Sequence, residues 1–115
     1  MNAKADLSWV RVCRLEDLTD NLGICAKVGE HQVAIFKVKD ADGHTLYAID
    51  NHDPISKANV LSRGIIGDVK GHDVVASPIY KQHFDLRTGQ CLESEVRIPT
   101  YQVRENAGNV EVLME

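Results

Sequence analysis

Hydrophobic and polar positions switch every few residues along this chain, and no long stretch repeats with helical spacing. Trp9-Val10-Arg11-Val12-Cys13-Arg14 alternates as a first strand. Leu15-Glu16-Asp17-Leu18 suits one helical turn, and Asn21-Leu22-Gly23 turns the chain. Ile24–Val28 and His31–Val38 flank Gly29-Glu30, which predicts a two-residue type II′ hairpin with glycine at its first central position. Val33 to Phe36 is apolar at every position, so this strand is expected to be covered on both faces. Asp40-Ala41-Asp42-Gly43 predicts the next hairpin, with His44–Ile49 as its returning strand.

The strand at 44–49 runs into Asp50-Asn51-His52-Asp53-Pro54, which is dense in turn formers. A loop carrying Val60-Leu61-Ser62-Arg63-Gly64 leads to a strand at 65–69. Gly71-His72 predicts a turn into the Asp73–Ala76 strand, which Ser77-Pro78 stops. Phe84-Asp85-Leu86-Arg87 reads as a short strand leaving that loop, and Thr88-Gly89 turns it. Arg97-Ile98 and Tyr101–Arg104 bracket Pro99, which has no N–H for a ladder and marks an edge, bulge or break. Asn106-Ala107-Gly108-Asn109 turns into a last strand, in which Val110, Val112 and Met114 share a face. About nine strands with frequent turns predict an all-β antiparallel sandwich or barrel. Residues 1–115 read as one domain with a loose lead-in at 1–7. There is no internal repeat, low-complexity tract or linker.

With 115 residues, 43% of them apolar and 26% charged, the chain is long enough to build a core without a metal or disulfide staple. A formal charge of −4 argues against broad binding to nucleic acid or anionic lipid. No apolar run approaches the roughly 18 residues of a membrane span. The beginning, Met1-Asn2-Ala3-Lys4-Ala5-Asp6, lacks the apolar region of a signal peptide, so a cytoplasmic setting is expected. Cys13, Cys25 and Cys91 form no closely spaced metal or redox pair. Their odd number argues against a disulfide framework, and they are expected to be buried free thiols. No nucleophile–base pair or phosphate-cradling loop stands out. Asp17/Asp20 and Glu93/Glu95 read as solvated faces.

Ser77-Pro78-Ile79-Tyr80, followed by Phe84-Asp85 and Thr88-Gly89, resembles the second cluster-binding loop of Rieske iron–sulfur proteins, which reads Cys-Pro-Leu-His-x-x-x-Phe-Asp and ends near Thr-Gly. Leu46-Tyr47-Ala48-Ile49-Asp50-Asn51 resembles the strand entering the first cluster loop, and Leu15–Leu18 an early segment of the same domain. Where that first loop continues x-Cys-x-His, this chain has His52-Asp53-Pro54-Ile55. The Cys positions therefore fall on Asp53 and Ser77, and the His positions on Ile55 and Tyr80. A Rieske cluster needs two thiolates and two imidazoles, and this set supplies neither. The pieces Asp53-Pro54, Val60–Gly64, Ala76-Ser77-Pro78 and Phe84-Asp85, in this order, are similar to those of one cluster-free Rieske-like group, the small subunits of assimilatory NAD(P)H-dependent nitrite reductases.

That resemblance implies a Rieske-like (ISP-type) antiparallel β-sandwich with two loops at one end in place of the cluster site. It also implies a cofactor-free accessory subunit, with FAD, an iron–sulfur cluster and sirohaem held by a large-subunit partner that reduces nitrite to ammonium. No catalytic residue is expected in this chain. Asp53 and Ser77 are expected to bond nearby backbone N–H groups, and Ile55 and Tyr80 to fill the cluster's space. In such a fold His52 and His83 lie on the two loops, and with Asp53 they are the candidate set for a metal; the expected reading is surface or hydrogen-bonded histidines with no metal. Arg63, Lys81 and Arg87 are the candidates for docking the large subunit around the former cluster tip. The other readings are a free-standing β-domain binding a metal or small ligand, and an electron-transfer ferredoxin, which the missing ligands disfavour.

Overall fold

The computed structural model describes residues 7–115, and the predicted lead-in falls almost wholly outside that range. Twelve strands form among the described residues, with two single 3₁₀ turns at Leu15–Asp17 and Leu61–Arg63. The central sheet has the order β10 (Thr100–Tyr101), β4 (Gly43–Asp50), β3 (His31–Asp40), β2 (Gly23–Val28). A second sheet runs β1 (Ser8–Arg14), β12 (Asn109–Met114), β11 (Val103–Asn106). A third runs β7 (Ile65–Val69), β8 (His72–Ala76), β9 (His83–Asp85), and β5 (His52–Asp53) pairs with β6 (Ala58–Asn59) alone. Every ladder is antiparallel.

The turns follow from backbone chemistry. Val28 pairs with His31 across Gly29-Glu30, and only Gly29 takes positive φ, at +61°, as a type II′ turn requires. The β7–β8 and β11–β12 hairpins turn at Lys70-Gly71 and Ala107-Gly108, with both central residues at positive φ, the type I′ pattern. Pro99 breaks the chain before β10, and its carbonyl accepts from Asp50 N–H at 2.9 Å. The count of twelve exceeds the nine expected because β5, β6 and β10 are two-residue ladders. Pieces that short carry no periodicity. The Phe84–Arg87 strand is shorter than expected: β9 ends at Asp85, and Leu86 folds inward with its N–H donating to Asp73 O at 2.9 Å.

The central sheet is covered on both faces. On β3, Val33 and Ile35 point toward Val110, Val112 and Met114 of the second sheet, in a cluster with Leu18 and Ala48. Ala34, Phe36 and Val38 point the other way, into a cluster with Ile49, Leu61, Val75, Phe84, Leu86, Cys91 and Ile98. Side-chain alternation thus splits one unbroken apolar run between two cores. The thiols differ from expectation. Cys91 is buried and Cys13 half-buried, but Cys25 is exposed. Ile24 and Ala26 take the core-facing positions of the edge strand β2, which leaves Cys25 on the other face.

Phe36→Ala is expected to cost about 4 kcal/mol, as for a fully enclosed aromatic side chain. Ile65→Ala, at a side chain 70% exposed, is expected to change stability by less than about 0.5 kcal/mol. Urea unfolding midpoints with unchanged slope check both.

Candidate functional site

The first loop starts from Asn51, which is buried directly after β4. Its side chain donates to Gln32 Oε1 at 3.1 Å and accepts from Ser62 N–H at 2.7 Å. Its backbone N–H donates to Gln32 O at 2.9 Å, and its carbonyl accepts from Leu61 N–H at 3.1 Å. One side chain therefore fixes the strand end against both β3 and the 61–63 turn. The loop then doubles back between β5 and β6 around Asp53. Asp53 Oδ1 accepts from the N–H groups of Ile55 at 2.9 Å and Ser56 at 3.4 Å, and Oδ2 accepts from Ser56 Oγ at 2.9 Å. This is the Asx geometry that Asp favours ahead of a tight turn.

The second loop leaves β8 at Ser77. Ser77 N–H donates to Gln82 O at 2.8 Å and Ser77 O accepts from Lys81 N–H at 3.0 Å, which closes the loop into a compact turn with Lys81 at φ +66°. The two loops meet where Ser77 Oγ donates to Asp53 Oδ2 at 2.6 Å, with both residues fully buried. Burial pushes the Asp53 carboxyl pKa up, but the bonds from Ser77, Ile55 and Ser56 outweigh it and hold the group below its ordinary value. Gly64 allows the approach: a Cβ there would stand 2.5 Å from Ala76 O and 2.5 Å from Val75 Cγ2.

The four positions that resemble cluster ligands therefore part in pairs. Asp53 and Ser77 bond each other as well as backbone N–H groups, since Ile79 N–H also reaches Ser77 Oγ at 3.4 Å. Ile55 is half-buried and packs on the core cluster beneath the loops. Tyr80 is a correction to the sequence reading: it stands 60% exposed and fills no interior space. Pro78 and the closed 77–82 turn carry it outward. A [2Fe-2S] cluster does not fit this set. The two atoms nearest in kind to the thiolates are an alcohol and a carboxylate locked to each other, and neither remaining position offers an imidazole.

His52 and His83 are not brought together with Asp53. His52 Nδ1 lies 2.9 Å from Asn59 Oδ1, and His83 Nδ1 lies 2.7 Å from Glu93 Oε2, so each ring is engaged by a different partner. Among the described residues no group of three or more His, Cys, Asp or Glu side chains is placed to share a metal ion. Arg63 and Lys81 are exposed on the loop side, close in sequence to Gly64 and Ser77, where exposed Ile65, Ile79 and Tyr80 also lie. Arg87 is elsewhere. It follows β9 beside Asp73, at the end of β8 opposite Ser77.

Sequence reading missed the braces at that far end. Asp85, buried, accepts from the N–H groups of Arg87 and Thr88 at 2.8 and 3.1 Å, and its other oxygen lies 3.3 Å from His72 Nδ1. Tyr47 donates to Asp73 Oδ2 at 2.7 Å, and its pKa is pushed up to about 12 by burial and by that bond. The Asp-x-Arg-Thr turn was a local signal for the first brace. The second joins residues 26 apart and had none.

The sequence pattern of the Rieske-like [2Fe-2S] domain matches residues 8–113. The chain is 39% identical to the Escherichia coli K12 nitrite reductase (NADH) small subunit over 105 residues, 90% of this chain and 95% of that one. It is 42% identical over 103 residues to part of a Klebsiella oxytoca protein named nitrite reductase (NAD(P)H) large subunit, and spans a tenth of that protein's length. The solution structure of the E. coli protein NirD superposes with a TM-score of 0.85 at 37% identity, covering 95% of this chain and 98% of the other.

Ser77→Ala is expected to destabilise by about 2 kcal/mol and Asp53→Ala by about 3, because each strands buried polar partners. The double variant should fall short of the sum by at least about 1 kcal/mol, the coupling a charge-assisted bond gives. Because the folded Asp53 pKa is depressed, its stabilisation is present above the unfolded value near about 4. It is lost as pH falls through the folded value. The wild type should therefore lose stability faster than Asp53→Asn on acidification below about pH 4, read by thermal melts across that range.

Proposed function

The chain belongs to the Rieske-like [2Fe-2S] domain family, and within it we propose that it is the small, cofactor-free subunit of an NAD(P)H-dependent nitrite reductase. The observation that carries the reading is the near end-to-end match to small-subunit relatives, 90% of this chain against 95% of theirs. The donor set at the loop end supports the cofactor-free part, since Asp53 and Ser77 hold each other where ligands would be required. The Klebsiella relative supports association, because there a segment like this chain is continuous with a protein bearing the large-subunit name. A domain that works against a redox partner tolerates being joined to it.

On this reading the flavin, the iron–sulfur cluster and the sirohaem belong to the large subunit, which reduces nitrite to ammonium in the cytoplasm. This chain acts by contact. Arg63 and Lys81, beside exposed Ile65, Ile79 and Tyr80, make the loop end the docking tip. Apolar side chains there supply buried area, and the two cations set encounter rate and orientation. No helix among the described residues is long and apolar enough to cross a membrane.

The test is co-expression with the large subunit. The expected outcome is co-elution, loss of NAD(P)H-dependent nitrite reduction when this chain is withheld, and no visible absorption from the isolated chain. The double variant Arg63→Glu with Lys81→Glu should lower the association rate about ten-fold at low salt, with the gap closing as salt rises. Equal rates for variant and wild type at every salt concentration would remove the tip from the docking surface.

A further inference from the structure

The central sheet leaves part of its β4 edge open. β4 is paired to β3 from Gly43 to Asp50, but on its outer side β10 covers only Ala48 and Ile49. Asp50 N–H donates outward, to Pro99 O. Strand alternation then turns the backbone groups of Ala48, Leu46 and His44 to that same side. Leu46 and His44 have no strand opposite them among the described residues. Proteins guard such edges with Lys, Pro or a bulge. The run Gly43-His44-Thr45-Leu46-Tyr47 contains neither Lys nor Pro, and its pairing to β3 is unbroken in register.

The edge opens into a groove of about 630 Å³ walled by Trp9, Tyr47, Leu86, Arg87, Tyr101 and Val103. Trp9 is held in place by the Arg104 guanidinium, 4.1 Å from its ring centre, and Arg104 is in turn paired to Glu111 at 2.7 Å. Arg87 is the one charged residue that lines the groove. Its side chain makes no hydrogen bond or ion pair among the described residues, and only its backbone N–H is engaged, with Asp85. The groove thus offers unpaired main-chain groups, aromatic walls and one cation whose side chain makes no ion pair among the described residues.

We propose that this groove, with the open β4 edge that continues past it to His44, takes an extended, acidic segment of the large subunit by strand addition, with main-chain bonds to Leu46 and His44 and a carboxylate on Arg87. The inference rests on the reading of this chain as that subunit's partner and adds a second contact, distinct from the loop tip. Charge complementarity decides the occupant. A second copy docking edge to edge would set two Arg87 grooves together with no carboxylate lining either.

Amide hydrogen exchange on the full chain, free and in complex with the large subunit, tests it. Exchange at Leu46 and His44 is expected to slow at least ten-fold in the complex. Arg87→Glu should weaken association at least ten-fold, and Arg87→Gln less. Lys27→Glu, on the opposite edge strand β2, should leave association unchanged. Wild-type association with free-chain exchange at Leu46 and His44 overturns the strand addition and leaves the proposed function standing. No wild-type association overturns both. Slowing of the same amides in the isolated chain as its concentration is raised would put a second copy on the edge and also overturn the proposal.

Discussion

A single buried hydrogen bond, from Ser77 Oγ to Asp53 Oδ2, ties together the two loops that close one end of this molecule. Its partners are 24 residues apart, one in β5 and the other just past the end of β8, so nothing local in the chain holds the loops together at that point. A buried carboxylate is costly unless its lone pairs are met. Here all are engaged, by two backbone N–H groups and two serine hydroxyls. The bond therefore fixes the loops rather than merely tolerating their approach. A Rieske cluster would do the same mechanical work with four metal–ligand bonds. One charge-assisted hydrogen bond does it here because the rest of each loop is already shaped.

That shaping comes from the central sheet. β3 carries its apolar side chains alternately into two cores, so the sheet cannot slide toward either neighbour without opening a cavity. Asn51 continues β4 and borrows this rigidity. It is bonded to β3 through Gln32 and to the 61–63 turn through Ser62 and Leu61. The same turn delivers Gly64 against the end of β8 at Ala76, one residue before Ser77. Sheet, turn and strand thus converge on the Asp53–Ser77 pair from two sides. The Val60–Gly64 motif is explained by packing: Leu61 anchors the core, Ser62 caps Asn51, and Gly64 leaves room for a backbone oxygen.

Much of this was legible in the sequence because it is local. The hairpin at Gly29-Glu30 needed only a glycine at the right place, and the double coverage of β3 needed only four consecutive apolar residues. The identity of the loops was legible through order and spacing. What escaped had a long-range cause. Asp53 and Ser77 were each expected to bond nearby N–H groups, and they do, but their bond to each other depends on how two sheets stack. Tyr80 was expected inward because it replaces an inward ligand; the closed 77–82 turn points it to solvent instead. Arg87 was grouped with Arg63 and Lys81 because it follows the second loop closely, yet β9 carries it to the far end of the third sheet. Sequence distance along a strand is also distance in space, at about 3.3 Å per residue.

Replacing a metal tie with a hydrogen-bonded one also changes what a partner meets. A cluster at the loop end would alter its charge each time an electron arrived or left, and the field at the docking surface would alternate with it. The Asp53–Ser77 pair keeps one charge state, because the carboxyl is held below its ordinary pKa and a serine does not titrate near neutrality. If the subunit acts by contact, as proposed, constancy is the useful property. An interface whose electrostatics are the same at every stage holds with the same affinity at every stage, so such a complex need not loosen during turnover. Loss of the ligands is then a physical condition of the role and not merely a relic. The scaffold can serve as a fixed clamp because the bond that ties its loops involves no group that changes charge near neutrality.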